Sequence, residues 1–553
     1  MLFRTTRVDL NGFLNNLSYL RVLHLFNTKL DVLPDAICNL KHLRYLGLEG
    51  AEISTIPHEI GNLKFLQHID LKGCKNVTQL PNSILKLHGL RTLNIRGTGI
   101  ATVQRGFGML RNLVNMSGFP THSERGADEW CSLEELKFLS KLNKLVVERL
   151  EKAYHSHDVD KTLLTGKPNL TILELRCTSR LGTNGKVKVN IRKEEQESIE
   201  QVFSCLCPPP CIESLTIAGY FGYRLQDWMA QIPCFENLRR IEIEDYACCN
   251  QLPHGLGQLP FLDYLWIEHT PSIECINHGF LQPPFAGDGA KRHVAPEASG
   301  TMLDKREPPI SCGVAVAFPR LVKLGFSKML KWTEWDWEEH IPAMPKLEKL
   351  FIWYSKLSRL PPGLAKHAIS LKILGLRYLP NLVSVQNLPS LEITRMRNIT
   401  RLERITNNPS LHRIEVINCQ GLKVLEDLPA LRSFSWENLQ AETLPQYLLE
   451  TKVINLKIKC NLILFEKISM KDATDEWKKI KHVQQVKVYG DKRPDGTYKS
   501  YISLNKGQVI SMKIGESDKS TGIYLISNFP SLEWYDQKRG TTQIWVAADH
   551  RGS

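Results

Sequence analysis

The sequence predicts an α/β solenoid, in which short parallel strands stack along one side and helical turns or loops stack along the other. An apolar-x-x-apolar-x-apolar frame returns in register at steps of 23 or 24 residues, beginning at Leu20, Leu43, Leu66 and Leu90. Small Thr or Cys residues follow most of these strands, and Leu-Pro or Ile-Pro pairs come next. Because one such repeat cannot bury its own apolar face, neighbouring repeats must stack to form a core.

Each position of the repeat has a physical role. The three apolar residues of the frame point from a short strand into the core, and a compact Thr or Cys fits where the chain turns inward. Proline then fixes φ where the chain leaves the sheet, and an isoleucine supplies the apolar side of a helical turn. The residues in these roles are Thr28, Cys74 and Thr98, then Pro34, Pro57 and Pro81, and then Ile37, Ile60 and Ile84. The period is that of leucine-rich repeats, which predicts a horseshoe with a parallel concave sheet.

The frame continues less regularly through the rest of the chain. Between Leu371 and Leu431 the repeat shortens to about 20 residues, so short loops are expected on the convex side there. The later strands are predicted at 142–147, 170–175, 212–217, 238–243, 262–267, 321–326, 347–352, 371–376, 411–416, 431–436 and 453–458.

Two segments interrupt the repeats, and a different pattern ends them. Residues 178–210 are charged and compatible with a helix, whereas 277–317 are rich in Gly, Pro and charge with little periodicity. Alternating apolar residues predict strands of a β-rich cap at 485–489, 498–504 and 522–526. The predicted organisation is an N-terminal flank (1–19), leucine-rich repeats (20–276), an irregular insertion expected to be disordered (277–317), further repeats (318–458), and a C-terminal cap and tail (459–553).

Composition excludes several classes of protein. The chain has 553 residues, of which 42% are hydrophobic and 23% charged. It contains no apolar run of the roughly 18 to 20 residues that a membrane-spanning helix needs. Arg4, Arg7 and Asp9 interrupt the start of the chain, where a secretion signal would need an apolar core. Together with 14 scattered cysteines, this predicts a cytoplasmic or nuclear protein with reduced thiols.

The net charge of +13 is unevenly placed, since Lys and Arg outnumber Asp and Glu between Lys452 and Lys513. A basic stretch of this kind can serve partner contact or solubility, and the sequence leaves both open. No specific nucleic-acid partner is predicted.

Three groups of motifs carry a resemblance to a known family. Residues 40–46 read LKHLRYL, and residues 476–484 read EWKKIKHVQ. The segments 318–324, 329–335 and 344–350 read FPRLVKL, MLKWTEW and MPKLEKL. The chain thereby resembles the leucine-rich repeat region of plant nucleotide-binding disease-resistance proteins, in particular the cereal-type coiled-coil subgroup. The resemblance covers roughly residues 1–490.

The resemblance does not extend to the switch module of that family. The sequence has no Gly-x-x-x-x-Gly-Lys-Ser/Thr loop and no Met-His-Asp tripeptide, and Gly166-Lys167 is followed by proline. The resemblance therefore implies the sensor half alone. Its expected partners are a pathogen effector or a modified host protein, and a nucleotide-binding module in trans.

Metal binding and catalysis are the competing interpretations. Cys205, Cys207 and Cys211 lie close together, but zinc sites use paired Cys-x-x-Cys or His units, and here three prolines intervene. The Glu338-Glu339-His340 and His155–Asp158 segments lack the spacing of a metalloprotease helix, and no Gly-x-Ser-x-Gly elbow occurs. The sequence predicts no metal, no cofactor and no catalytic residue.

Residues between the frame positions face solvent on the concave sheet, which makes them candidates for protein binding. In the early repeats they are polar, and in the later repeats they are large aromatics rimmed by charge, as at the centre of an interface. The predicted protein-binding residues are His68, Asp70, Lys72, Asn94, Arg96, Tyr264, Trp266, Glu268, Phe351, Trp353 and Arg377. Packing of the aromatics on each other, or on the 277–317 insertion, is the alternative.

The tryptophans Trp332, Trp335 and Trp337 are expected to brace a long segment of the chain rather than to contact a ligand. Taken together, the observations predict a non-catalytic recognition scaffold of plant innate immunity. An intracellular Ras-group leucine-rich repeat adaptor, which shares the 23-residue Leu-Pro repeat, is one alternative. An inactive receptor fragment is another.

Overall fold

A computed structural model describes residues 10–15, 17–121, 130–153, 163–188, 190–225, 228, 235–253, 255–281, 316–469, 474–492, 498–505, 508–513 and 543–547. The chain divides into two compact units. The first comprises residues 1–226, 240–248 and 515–553, and the second comprises 227–239 and 249–514. Among the described residues, no helix is long and apolar enough to cross a bilayer.

The first unit is built on parallel strands that pair in chain order. They are β1 (Val22–Phe26), β2 (Tyr45–Gly47), β3 (His68–Asp70), β4 (Thr92–Asn94), β5 (Asn115–Pro120), β6 (Lys144–Glu148), β7 (Ile172–Arg176), β8 (Ser214–Ala218) and β9 (Arg240–Glu244). A strand at Gln543–Ala547 pairs antiparallel with β1. The buried Leu46, Ile69 and Leu93 lie in register on adjacent strands. The predicted leucine-rich repeat solenoid is confirmed.

Short helical turns occupy the other side of the first unit, as predicted from the proline and isoleucine positions. Pro34, Pro57 and Pro81 each precede a 3₁₀ turn in which the isoleucine is buried. The 3₁₀ turns span Asp35–Asn39, His58–Asn62, Asn82–Lys86, Phe107–Met109, Leu133–Phe138 and Leu150–Lys152. The α-helices are α1 (Leu10–Asn15) and α2 (Lys193–Ser204). The helix α2 confirms the prediction that residues 178–210 are compatible with a helix.

Of the small residues that follow the strands, Thr28 and Cys74 are buried and Thr98 is half-buried. The Cys74 thiol donates to the Leu48 carbonyl at 2.8 Å, and the Thr98 hydroxyl donates to the Ile95 carbonyl at 2.7 Å. Cys38, Cys74, Cys131, Cys177 and Cys460 are buried thiols that form no disulfide. Burial raises the pKa of the Cys38 and Cys74 thiols to about 11, which keeps them protonated at neutral pH.

The second unit continues the same architecture with shorter repeats. Its main sheet pairs parallel through β10 (Tyr264–Glu268), β12 (Lys323–Ser327), β14 (Lys349–Trp353), β15 (Ile373–Arg377), β17 (Ile393–Arg397), β19 (Arg413–Ile417), β21 (Ser433–Asn438), β22 (Asn455–Cys460) and β23 (Gln485–Lys492). Two antiparallel strands follow, β24 (Tyr498–Asn505) and β25 (Gln508–Lys513). The cap strands predicted at 485–489 and 498–504 are confirmed, whereas 522–526 lie outside the described residues.

Small strands and helices complete the second unit. The pair β11 (Cys275–Ile276) and β13 (Glu334–Trp335) is parallel. The helices are α3 (Pro362–His367), α4 (Leu462–Ser469) and α5 (Asp475–Lys478), and the 3₁₀ turns are Leu256–Gln258, His278–Phe280 and Gln446–Leu449. Of the irregular segment 277–317, residues 282–315 lie outside the described part of the chain, so its predicted disorder stays a prediction.

The convex side between 371 and 431 is more ordered than predicted. Short strands β16 (Ser384–Gln386), β18 (Arg404–Thr406) and β20 (Val424–Glu426) form a second parallel sheet where loops were expected. The buried Asn408 supports it, because its side-chain amide donates to the carbonyls of Val385 and Thr406 and accepts the Leu388 amide. These short repeats therefore carry two strands each.

The apolar frame did not predict two strands of the main sheets, β17 and β5, and the structure shows why. In β17, Thr394 replaces the central apolar residue, and it stays buried because its hydroxyl donates to the Leu374 carbonyl at 3.2 Å. In β5, Gly118 occupies a frame position, and a register irregularity between Ser117 and Phe119 brings the Phe119 ring into the core instead.

The bracing role predicted for the late tryptophans agrees with the structure. Trp332 and Trp337 are fully buried, and both ring nitrogens donate to backbone carbonyls, those of Glu334 and Ile341. Trp335 lies between them, with ring centroids 5.9 and 5.8 Å away. These residues serve the core of the second unit.

Lys167 is buried in the first unit without a carboxylate partner among the described residues. Its side chain is 2% exposed, and the ammonium donates to the carbonyls of Leu136 and Leu139, at the end of a 3₁₀ turn. Burial lowers the pKa of Lys167 to about 8. The lysine is therefore a structural cap, and sequence reasoning had considered it only as a failed phosphate-binding motif.

We predict that Lys167 makes stability pH-dependent on the alkaline side. Between pH 8 and the ordinary lysine pKa near 10.4, the unfolded chain binds more protons than the folded chain, so the free energy of unfolding rises with pH. The free energy of unfolding of the wild type, relative to that of Lys167→Met, should rise by up to about 1.4 kcal/mol per pH unit across this window. Urea unfolding at several pH values measures the difference.

The matched control is Lys141→Met, because Lys141 is exposed and bonds the Asn112 side chain. The difference in unfolding free energy between Lys141→Met and the wild type should not change with pH. A pH-independent difference for Lys167→Met would contradict the assignment.

Candidate functional site

The early candidate residues lie on the exposed face of the first unit. Several of their side chains are already hydrogen-bonded to nearby backbone amides or paired with neighbouring charges. His68 and Asp70 are on β3, and Asn94 is on β4. The Asp70 carboxylate accepts the Lys72 amide at 3.0 Å, and the Asn94 side chain accepts the Arg96 amide at 3.3 Å. Burial lowers the pKa of His68, and the guanidinium of Arg91 adds to the effect.

Arg96 belongs to a network of ion pairs along the same face. Its guanidinium lies 3.7 Å from Glu148 and 3.2 Å from Glu174. Arg176 continues the network, at 2.9 Å from Glu174 and 3.0 Å from Glu244. Burial of Glu174 opposes its charged form, but Arg176 and Arg96 outweigh that effect and lower the pKa of the carboxyl. The charges of this face are therefore largely satisfied within the unit.

The sequence interpretation missed an aromatic and acidic group beside His68. The rings of His24 and Tyr45 lie edge to face at 5.9 Å, and Tyr45 lies 6.1 Å from His68. Burial and the neighbouring Asp70 carboxyl raise the pKa of Glu49. The group extends the polar face that the sequence predicted there.

The late candidate residues form a compact aromatic cluster on the exposed face of the second unit. The rings of Trp266 and Trp353 lie edge to face with centroids 5.2 Å apart. Phe351 lies 6.4 Å from Trp266 and 5.9 Å from Trp353. All three rings are half-buried. We call Tyr264, Trp266, Phe351 and Trp353 the aromatic cluster.

Two glycines on the same face make room for these rings. A Cβ on Gly325 would lie 2.0 Å from the Trp266 ring, and a Cβ on Gly375 would lie 2.6 Å from the Phe351 ring. The Trp266 and Phe351 rings thus lie over the strand beside their own, and a side chain in place of either glycine would displace the ring. The sequence interpretation missed both glycines, although each stands at the outward-facing position between two frame residues, where the rings bury it.

A lysine that the sequence interpretation missed lies over the aromatic cluster. The Lys323 ammonium is 5.0 Å from the ring centre of Tyr264 and 5.6 Å from those of Trp266 and Phe351. Glu268 borders the rings, since its carboxylate accepts the Trp266 indole N–H at 3.2 Å and pairs with Lys328 at 3.0 Å. The surface therefore combines apolar rings with one cation, Lys323, and one anion, Glu268, whose positions are held by these contacts.

Arg377 extends this surface at the ends of the strands. Its guanidinium lies 5.4 Å from the ring centre of Tyr378 and 5.7 Å from that of Tyr354. The two tyrosine rings stack at 4.4 Å. Both tyrosines were missed because they follow the strands rather than alternating within them.

Metal-binding candidates stay apart in the structure. The Cys211 thiol donates to the Leu170 carbonyl at 3.4 Å, and the Cys207 thiol donates to the Pro208 carbonyl. Across the residues that the structure describes, no three His, Cys, Asp or Glu side chains gather as metal ligands. His340 pairs with Glu338 at 3.1 Å on an exposed surface, and residues 155–158 lie outside the described part of the chain.

We predict that Gly325→Ala displaces the Trp266 ring, because the new methyl group would overlap it. The expected cost is about 1–3 kcal/mol of unfolding free energy, with a shift in tryptophan fluorescence. Urea unfolding and emission spectra measure both effects.

Gly89→Ala is the control, since its Cβ would meet only backbone carbonyl oxygens at 3.4 and 3.8 Å. That variant should leave the fluorescence unchanged. If Gly325→Ala resembles it, the ring does not lie over the strand as described.

The chain was compared with protein families, with curated proteins and with solved structures. A family model described as a leucine-rich repeat region matches residues 3–394. No curated protein matches the sequence. A leucine-rich repeat protein of Leptospira interrogans is similar in structure with 15% identity, covers 85% of this chain and 98% of its own, and has a TM-score of 0.40.

Two further solved structures are similar at the same low level. The functional domain of InlJ from Listeria monocytogenes has 11% identity and a TM-score of 0.37, with 73% of this chain and 71% of that chain covered. A plant peptide hormone receptor, RGFR1 in complex with RGF2, has 14% identity and a TM-score of 0.30, with 83% and 76% covered.

Proposed function

Because the chain belongs to the leucine-rich repeat region family, we propose that it is a non-catalytic protein-recognition scaffold that binds a protein ligand through the second unit. The aromatic cluster with Lys323 carries this proposal. Large aromatic rings on one half-buried surface have the composition of an interface centre, and Lys323 and Glu268 supply charge at its border.

The packing of the rings supports binding rather than a purely structural role. The aromatics pack on each other, which was one of the alternatives that the sequence left open. Yet they remain half-buried on the exposed face, while the frame residues Leu350 and Ile352 beneath them are fully buried. Pre-packed rings lose little side-chain freedom when a ligand covers them, which favours affinity.

Backbone strain beside the cluster supports the same conclusion. The residue that follows the strands of the repeats at the cluster adopts a left-handed conformation, and its amide continues the ladder, as when the Tyr354 amide donates to the Arg377 carbonyl at 2.8 Å. Glycine or asparagine suits this backbone, whereas bulky residues are strained in it. Glycine occurs at 50, 73 and 97 and asparagine at 398 and 418, but the repeats at the cluster carry His269, Lys328, Tyr354 and Tyr378.

The biological setting is the finer part of the proposal. The motifs at 40–46, 318–350 and 476–484 support a sensor role in plant innate immunity, with a pathogen effector or modified host protein as ligand and a nucleotide-binding module as partner in trans. The proposed location is the cytoplasm or nucleus. Recovery of small GTPases in a pull-down, in place of an immune-receptor ATPase module, would favour the Ras-group adaptor instead.

We expect Trp266→Ala/Trp353→Ala to weaken ligand binding by at least about 2 kcal/mol, because the pair forms the centre of the aromatic cluster. Peptides selected on the wild-type chain from a random phage-displayed library serve as ligands. Affinity by fluorescence anisotropy and folding by circular dichroism are the measurements.

Phe65→Ala is the matched control, since Phe65 is an exposed aromatic residue of the first unit. It should bind as the wild type does. Equal affinity of the Trp266/Trp353 double variant, with an unchanged circular dichroism spectrum, would place the site elsewhere.

A further inference from the structure

Cations concentrate on the exposed face of the second unit, beyond the aromatic cluster. They occupy face positions of the strands from β15 to β23, and we call them the basic face. Its members are Arg377, Arg395, Arg397, Arg413, Lys457, Lys459 and Lys487. Among the side chains that the structure describes, the acidic residues at the face positions of these strands are Glu415 and Glu437, so positive charge exceeds negative charge there.

Strand register places like charges directly opposite each other on this face. Arg377 lies opposite Arg397 on the parallel strands β15 and β17. Lys457 lies opposite Lys487 on β22 and β23. Like charges in this arrangement destabilise a sheet. A face that served only to cover the core would gain stability if one member of each pair, Arg397 or Lys487, were uncharged.

The two acidic residues neutralise only part of the excess. Glu437 lies 2.7 Å from Lys459, and Glu415 lies 3.4 Å from Arg395. Burial and the ammonium of Lys459 lower the pKa of Lys457, with Glu415 and Glu437 opposing and Lys487 adding to the effect. The excess of cations over carboxylates on this face therefore rests on the residues at its positions and on their pairing.

The first unit shows that this chain can balance the same kind of surface. There Arg96 and Arg176 alternate with Glu148, Glu174 and Glu244, and each guanidinium lies within 4 Å of two carboxylates. The basic face occupies equivalent positions of later repeats without equivalent acids. Fold geometry therefore does not require the imbalance.

We propose that the basic face binds an acidic polypeptide segment of the protein ligand, next to the part of that ligand held by the aromatic cluster. This inference rests on the proposed function and names the chemistry of the partner. Ile373, Ile393 and Ile417 separate the cations, and Glu415 and Glu437 lie among them. A uniformly charged nucleic-acid backbone would meet these carboxylates, whereas a peptide can space its own carboxylates between them.

The test uses a fluorescein-labelled oligoglutamate peptide and the full chain at low ionic strength, measured by fluorescence anisotropy. Lys457→Glu/Lys487→Glu should weaken binding by about tenfold or more, because two attractive contacts become repulsive. Lys366→Glu, on the exposed surface of α3, is the control and should bind as the wild type does. Added salt should weaken wild-type binding.

A second variant guards against loss of folding. Lys457→Gln/Lys487→Gln removes the opposed charges without reversing them, so it should keep or raise the thermal midpoint while losing affinity for oligoglutamate. Undiminished oligoglutamate binding by both double variants would overturn the proposal, and so would an absence of wild-type binding. Tighter wild-type binding to oligothymidylate than to oligoglutamate would also overturn it, in favour of a nucleic acid.

The two proposals fail separately in these measurements. Trp266→Ala/Trp353→Ala should keep oligoglutamate binding while losing the selected peptides. If the Trp266/Trp353 double variant keeps its affinity for the selected peptides, the proposed aromatic site is wrong. The basic face is still supported in that case, provided that the Lys457/Lys487 double variants lose affinity for oligoglutamate.

Discussion

Burial of the apolar frame of one repeat against the next is the interaction on which the rest of each unit depends. Leu46, Ile69 and Leu93 lie in register and are almost fully buried, and each such side chain contributes about 1.5–3 kcal/mol. A left-handed residue follows many of the strands, as at Asn27 and Tyr354, and its amide continues the backbone ladder. Since side chains alternate along a strand, burying the frame commits the residues between its members to the exposed face. The frame therefore supports the fold and displays the surface at once.

The same constraint produces two different surfaces in the two units. In the first unit, Arg96, Glu174 and Arg176 pair with one another, so the exposed charges stabilise the face that carries them. In the second unit, rings lie over glycines, and like charges stand opposite each other at Lys457 and Lys487. The like-charge pairs cost stability, and they lie on the second surface, which is the surface that we propose as functional.

The sequence predicted the repeats well because their signal is local. It failed at Thr394, where a hydroxyl hydrogen-bonded to the backbone replaces an apolar group, and at Phe119, where an irregular register substitutes for Gly118. Neither device is visible in an apolar pattern. The positions of Trp266, Phe351 and Trp353 on the exposed face followed from alternation. The roles of Lys323 and Gly325 could not be predicted from alternation, because they depend on which ring of the neighbouring strand lies over them.

What the sequence by itself determined is which residues point inward and which point outward, since that depends only on alternation within a single repeat. Which outward residues meet was decided by the tertiary structure. Trp266 lies over Gly325 and beside Trp353 because strand pairing joins segments separated by irregular lengths of chain. The same pairing set Arg96 against Glu174, so a residue predicted to contact a ligand is held by its own unit. Contact across repeats depends on register, and register exists only once the repeats have stacked.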